Sequence, residues 1–143
     1  MNTREPQGLD LIREKFKADK YATQVTGISI DDARPGYAKC SLEITEKHLN
    51  AAGAVMGGVL FTLADFAFAV AANQEEGCIT VSLASQIAFL GTAKTAFLSA
   101  ETRCVKDGKS TCFYQITVQD SLGTLVAEIC ITGFKKQLAE SKA

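Results

Sequence analysis

A chain of 143 residues, 47% hydrophobic and 22% charged, has room for one domain around a single buried core. Its 15 Lys and Arg against 16 Asp and Glu leave a formal net charge of −1, so no global field draws it to nucleic acid or to an anionic membrane. The five cysteines, Cys40, Cys78, Cys104, Cys112 and Cys130, make no CxxC pair and lie in apolar or alternating stretches, which predicts reduced, buried thiols rather than a disulfide or zinc framework.

The opening MNTREPQGLD is polar and acidic and lacks the apolar run of a secretory signal; the expectation is a cytoplasmic protein. Leu9, Leu11, Ile12 and Phe16, set among charges, predict a short amphipathic helix over 8–19. Two strands are predicted next. Residues 23–30 are rich in β-branched side chains, and 36–44 place Ala38, Cys40, Leu42 and Ile44 on one face. Asp31-Asp32 and Arg34-Pro35-Gly36 supply the turn between them.

A polar loop, Thr45 to Asn50, leads into a glycine-rich run and then VLFTLADFAFAVAAN over 59–73. That segment is apolar on every side, the pattern of an enclosed helix. From Leu49 to Asn73 the only ionisable residue is Asp65. Gly53, Gly57, Gly58 and Gly77 confine the helical part to about 16 residues, short for a membrane span, and a central carboxylate is costly in lipid. No membrane span is expected. Strands follow over 79–90, 95–105, 110–119 and 124–135, with Gly91-Thr92, Lys106-Asp107-Gly108 and Asp120 to Gly123 read as hairpin turns. The charged tail 136–143 is expected to fray. The sum is an α+β domain: an antiparallel sheet of five to six strands wrapped around one central apolar helix, with a short helix in front.

Asp65 carries the strongest chemical signal. Its neighbours one turn away, Phe61, Thr62, Phe68 and Ala69, cannot pair its charge. A carboxylate buried without a partner costs several kcal/mol unless it is solvated or protonated. In a crevice such a group serves as general base or nucleophile; the bland alternative is a structural carboxylate satisfied from another strand. Gly57-Gly58 opens the helix, where the first N–H groups have no intrahelical acceptor and face the positive end of the dipole. The Gly57 amide is therefore a candidate oxyanion donor, although paired glycines also serve simply as a tight turn. Eight residues of helix separate Gly57 from Asp65 by about 12 Å. One carbonyl cannot touch both in one chain, so joint action requires a two-fold dimer with shared sites. The amide of Asn50 can donate and accept, which suits holding a water or a carbonyl, and equally suits an ordinary loop. His48 is the only histidine. No GxSxG elbow, HExxH, dinucleotide fingerprint or P-loop is present.

The run from His48 to Asp65, HLNAAGAVMGGVLFTLAD, resembles the signature N-x-x-G-x-x-H-G-G-x-x-x-x-L-x-D of phenylacetate-degradation-type (PaaI-like) thioesterases, within the 4-hydroxybenzoyl-CoA thioesterase superfamily. The similarity extends through Val81-Ser82, Phe89-Leu90 and Asp107-Gly108-Lys109, over about 20–135. The resemblance implies a hotdog fold and hydrolysis of an acyl- or aryl-CoA to a carboxylic acid and free CoA. It implies that Asp65 activates water or attacks, that Gly57 supplies the oxyanion amide, and that Asn50 orients the carbonyl or the water. Met56, Gly58, Ser82 and Lys109 would line the substrate. For Ser82 a solvent-facing strand serine, and for Lys109 a solvated sheet edge, are the plain readings. No metal and no separate cofactor are implied, coenzyme A being part of the substrate, and a homodimer paired into a tetramer is expected. One residue departs from the pattern: Met56 stands where the family has histidine. A thiol leaving group, with a pKa of roughly 8.5, needs little help from a general acid, so an altered rate or preference is expected rather than loss of activity. Two alternatives remain. A hotdog (de)hydratase would need a histidine beside the carboxylate, and a non-catalytic acyl-CoA binding protein would fit Met56.

Overall fold

The computed structural model describes residues 8–139. Helix α1, Leu9–Phe16, lays Leu9, Ile12 and Phe16 toward the core; the Phe16 ring meets Phe66 edge-on at 5.9 Å. Arg13 Nε donates to the Ile30 carbonyl at 2.9 Å and fixes the helix to the first strand.

The next segment differs from the expected strand over 23–30. Tyr21–Thr26 forms a π-helical turn, and strand β1 begins only at Ser29, running to Arg34 through the Asp31-Asp32 pair read as a turn. Gly27 explains the change. At φ 90° it takes the left-handed conformation, and the N–H groups of Gly27 and Ile28 both donate to the Ala22 carbonyl, at 3.1 and 2.9 Å. That closure winds the β-branched residues before it into a coil. Strand β2, Tyr37–Glu43, pairs antiparallel with β1 and buries Ala38, Cys40 and Leu42 on its inner face. A short 3-10 turn, Glu46–His48, and a loop closed by a bridge between Leu49 and Val55 lead to α2, Gly57–Ala72, of 16 residues.

Strands β3 (Cys78–Phe89), β4 (Phe97–Asp107), β5 (Thr111–Asp120) and β6 (Leu125–Gln137) complete a six-stranded sheet in the order β1-β2-β4-β5-β6-β3. Every neighbouring pair is antiparallel. The turns at Lys106 to Gly108 and Asp120 to Gly123 do join paired strands. Gly91-Thr92 does not. β3 pairs with β6 and β4 with β2 and β5, so this segment is a crossover. It is pinned by Leu90 and Gly91 N–H groups on the Val126 carbonyl and by Lys94 N–H on Asp120 Oδ2 at 2.7 Å. Turn residues license a reversal but do not choose the partner strand. β6 stays paired to Gln137, beyond the expected start of fraying; 140–143 lie outside the described residues.

The sheet wraps α2 in the expected hotdog arrangement. Leu60, Leu63, Ala64, Ala67, Val70 and Ala71 of the helix are buried in one core with Cys40, Leu42, Ala100, Ile116, Ile129 and Ile131 of the sheet, each large side chain contributing about 1.5–3 kcal/mol. Phe68 meets Tyr114 edge-on at 5.2 Å. All five cysteines are free thiols, as expected, but only Cys40 and Cys112 are buried. Burial pushes the Cys40 thiol up to about 12. Among the described residues no helix is long and apolar enough to cross a membrane.

Candidate active site

Asp65 lies on the half-buried outer side of α2, where it opens into a cavity of about 180 Å³ with Phe61, Thr62, Phe66 and Ala69 of the same helix. The opposite wall is Asp19, Tyr21 and Ala22. No donor among the described residues pairs with the Asp65 carboxylate. Burial foremost, then the negative charge of Asp19, hold its carboxyl above the usual carboxylate range. The nearby Thr62 hydroxyl is occupied, donating to the Gly58 carbonyl at 2.8 Å.

Gly57 is the first helical residue, after Met56, whose extended backbone (φ −63°, ψ 135°) turns the chain into the helix. The Met56 N–H donates to the His48 carbonyl at 2.9 Å, whereas the Gly57 N–H has no acceptor among the described residues. Phe89 packs against Gly57 so closely that an added Cβ would lie 2.9 Å from the ring Cζ. At Gly58 a Cβ would meet nothing within 4 Å. The Met56 side chain is 56% exposed.

Asn50 is more committed than its sequence context reveals. Its Oδ1 accepts the N–H groups of Ala52 and Ala54, at 2.9 and 3.1 Å, and its own N–H donates to the Ala54 carbonyl at 2.7 Å. Two backbone donors fix which atom is the oxygen, leaving Nδ2, a donor only, without a partner among the described residues. Behind the loop lies an apolar cavity of about 250 Å³ lined by Ile44, Leu49, Val55, Leu60 and Val126.

Ser82 is exposed on β3, two residues past buried Thr80 and at a bulge. Its row of the sheet runs through Gly133 to Cys112. A Cβ on Gly133 would touch Phe68, one turn beyond Asp65. Phe89, against Gly57, is seven residues farther along β3, or about 23 Å. One chain therefore holds two groups apart: Asp65 toward the Ser82 end, and Gly57 with Met56 and Asn50 at the other. Lys109, exposed in the β4–β5 turn, has no ion-pair partner among the described residues, while Asp107, two residues before it, is held by Lys135. A further cavity of about 290 Å³ at the C-terminal end of α2, lined by Cys104, Cys112, Tyr114 and Lys135, contains none of the expected site residues.

Sequence reasoning missed Asp19 and Tyr21. They reach Asp65 only because the chain coils at Tyr21–Thr26, and no local spacing links residues so far apart in the chain.

Comparison with known proteins decides the family. The Thioesterase superfamily model matches residues 52–127. The chain belongs to the thioesterase superfamily. This thioesterase is 34% identical to a putative esterase of Archaeoglobus fulgidus over 78% of its length and 72% of the relative's. It is 36% identical to the acyl-coenzyme A thioesterase PaaI of Escherichia coli over 71% and 72% of the two chains. The solved structure of the E. coli PaaI protein superposes with a TM-score of 0.77, covering 92% of this chain and 97% of that one at 27% identity. A Streptococcus mutans protein solved bound to acetyl CoA gives a TM-score of 0.71, at 29% identity over 79% and 91% of the chains. The PaaI-like hotdog assignment and the thioester hydrolase class rest on these relatives.

Proposed function

We propose that this thioesterase hydrolyses an acyl- or aryl-CoA to a carboxylic acid and free CoA, at sites each shared between two subunits. The observation that carries the reading is the cavity around an unpaired carboxylate whose proton affinity is raised by burial. Such a group takes a proton from water near neutral pH more readily than a solvated aspartate does. Asp65 either deprotonates the attacking water or attacks the thioester carbonyl itself. In both routes the C–S bond breaks as the tetrahedral oxyanion collapses, and the thiolate leaves without needing a strong acid. The free Gly57 N–H supports the role of oxyanion donor, and the free Nδ2 of Asn50 suits the carbonyl better than the water. Ser82 and Lys109 belong to the same reading as substrate contacts, Lys109 toward the CoA phosphates, with Met56 and Gly58 beside the thioester. No metal or separate cofactor takes part in these steps.

The shared site has a physical basis in β3. This edge strand pairs only with β6, is 12 residues long and carries no charged side chain from Cys78 to Phe89, while Val81, Leu83 and Phe89 are 42%, 62% and 59% exposed. The opposite edge, β1, is short, bulged and bears Asp31, Asp32 and Arg34. Charge protects an edge from pairing, and its lack invites a second strand. A second copy docked along β3 would set Gly57 of one subunit toward Asp65 of the other; two such dimers would make a tetramer.

Release of free thiol from short, long and aryl acyl-CoAs, with Asp65→Asn beside wild type, tests the reading. Turnover lost in the variant supports it, and equal turnover removes Asp65 from the chemistry. Met56 at the histidine position favours one competing reading, a protein that binds acyl-CoA without cleaving it. That reading predicts binding with no thiol released by wild type.

A further inference from the structure

His48, the only histidine, is a buried titratable side chain that the reaction above leaves unused. It is 4% exposed, and both ring nitrogens are engaged. Nε2 lies 2.7 Å from the Thr26 carbonyl, which can only accept, so Nε2 carries the proton. Nδ1 receives the Thr45 N–H at 2.9 Å, a donor that requires a bare ring nitrogen. These two bonds select the neutral Nε2–H tautomer. The backbone of the same residue holds a third element, because the His48 carbonyl accepts the N–H of Met56, the residue that opens α2.

Each partner borders a piece of the candidate site. Thr26 ends the π-helical turn whose first residues, with Asp19, wall the Asp65 cavity. Thr45 starts the turn that leads to Asn50, and Met56 precedes the oxyanion amide at Gly57. We infer that His48 is a positioning residue: its neutral imidazole ties the Asp65 cavity wall to the loop that presents Asn50 and the Gly57 amide. The imidazole stays off the substrate and transfers no proton. Only the turnover readout of this inference rests on the thioesterase reading; the other readouts need no substrate.

Two substitutions separate the halves of the clasp. Gln places a donor near the position of Nε2, and Asn places an acceptor near that of Nδ1. His48→Gln therefore keeps the tie to Thr26, whereas His48→Asn keeps only the bond from Thr45. Displacing a donor that must meet an oxyanion is costly, so His48→Asn is expected to lower kcat by roughly ten-fold or more with little change in KM. His48→Gln should recover most of that loss. Hydrogen exchange at the Met56 amide should quicken in His48→Asn and not in His48→Gln. In wild type at neutral pH, imidazole ¹⁵N spectra should show a protonated Nε2 and a bare Nδ1. An Nδ1–H or doubly protonated ring would overturn the inference even if neither variant folds. So would wild-type exchange at Met56 together with wild-type kcat in folded His48→Asn. If wild type released no thiol from any acyl-CoA, the function proposed above would fail, while the tautomer and the exchange would still decide the role of His48.

Discussion

Asp65 works against the stability of the fold that holds it. Its carboxyl binds a proton more tightly in the folded chain than in the unfolded one, because burial and Asp19 disfavour the charge. Stability therefore falls as pH rises from the ordinary carboxylate range through the raised folded value. At neutral pH Asp65→Asn should raise the Tm while turnover falls by roughly two orders of magnitude or more; thermal unfolding and thiol release on the same sample check both. If Asp65 is the base proposed above, the same shift should set the acid limb of kcat/KM above the usual carboxylate range. Asp19→Asn removes the lesser of the two causes, so that limb should move to lower pH, with burial leaving it still raised. A pH–rate profile unchanged in Asp19→Asn would show that the two carboxylates do not feel each other.

At the scale of elements, the start of α2 and the Asp120 turn make separable demands. Proline is favoured at the first helical position, and Met56 already has the extended backbone that must precede it. Gly57→Pro thus deletes the N–H proposed as oxyanion donor within a helix it can still begin, while Gly57→Ala keeps the donor. Both add the Cβ that meets Phe89, a ring 59% exposed and able to swing aside. Turnover should be lower in Gly57→Pro than in Gly57→Ala by roughly 10²–10³-fold, the usual cost of one oxyanion donor. Asp120 holds the crossover against the β5–β6 turn. Burial by itself would raise its pKa, but N–H groups of Lys94, Thr124 and Leu122 outweigh that and lower it to about 2. Its stabilisation is complete above the unfolded value of about 4 and lost as pH falls toward about 2. Asp120→Asn turns an NH₂ toward the Lys94 N–H, so its Tm should be lower at neutral pH and should change less between pH 4 and 2, as followed by circular dichroism.

For the whole molecule, the proposed reading and the distance along α2 together make assembly a condition of the chemistry, which can be tested. Val81→Lys with Leu83→Lys puts charge on the bare β3 edge and should yield monomers by light scattering, with native circular dichroism and turnover reduced about as far as in Asp65→Asn. Mixing Asp65→Asn with Gly57→Pro subunits offers the converse. In a mixed dimer one site carries both defects and the other carries neither, so activity should reappear on subunit exchange. Mixed dimers with no activity would place both groups in one chain's site or remove one of them.

Legible in the residues alone were the α+β class, the 16-residue central helix, five of the six strands to within about three residues, and Asp65 as the uncompensated charge. Those features are written in local periodicity and in a single ionisable residue within an apolar run, both of which act over one or two turns of chain. The π-helical turn at Tyr21–Thr26 emerged from the folded chain alone, since Gly27 closes it through bonds to Ala22 that compete with strand propensity. The folded chain also decided that β3 pairs with β6 rather than with β4, because strand pairing is a contest among distant partners that a turn sequence cannot rank. The placing of Asp19 opposite Asp65 and the closing of His48 on Thr26 belong to the same class. Each is a meeting of residues remote in the chain, fixed by burial and by the need to satisfy buried hydrogen-bonding groups once the core has formed.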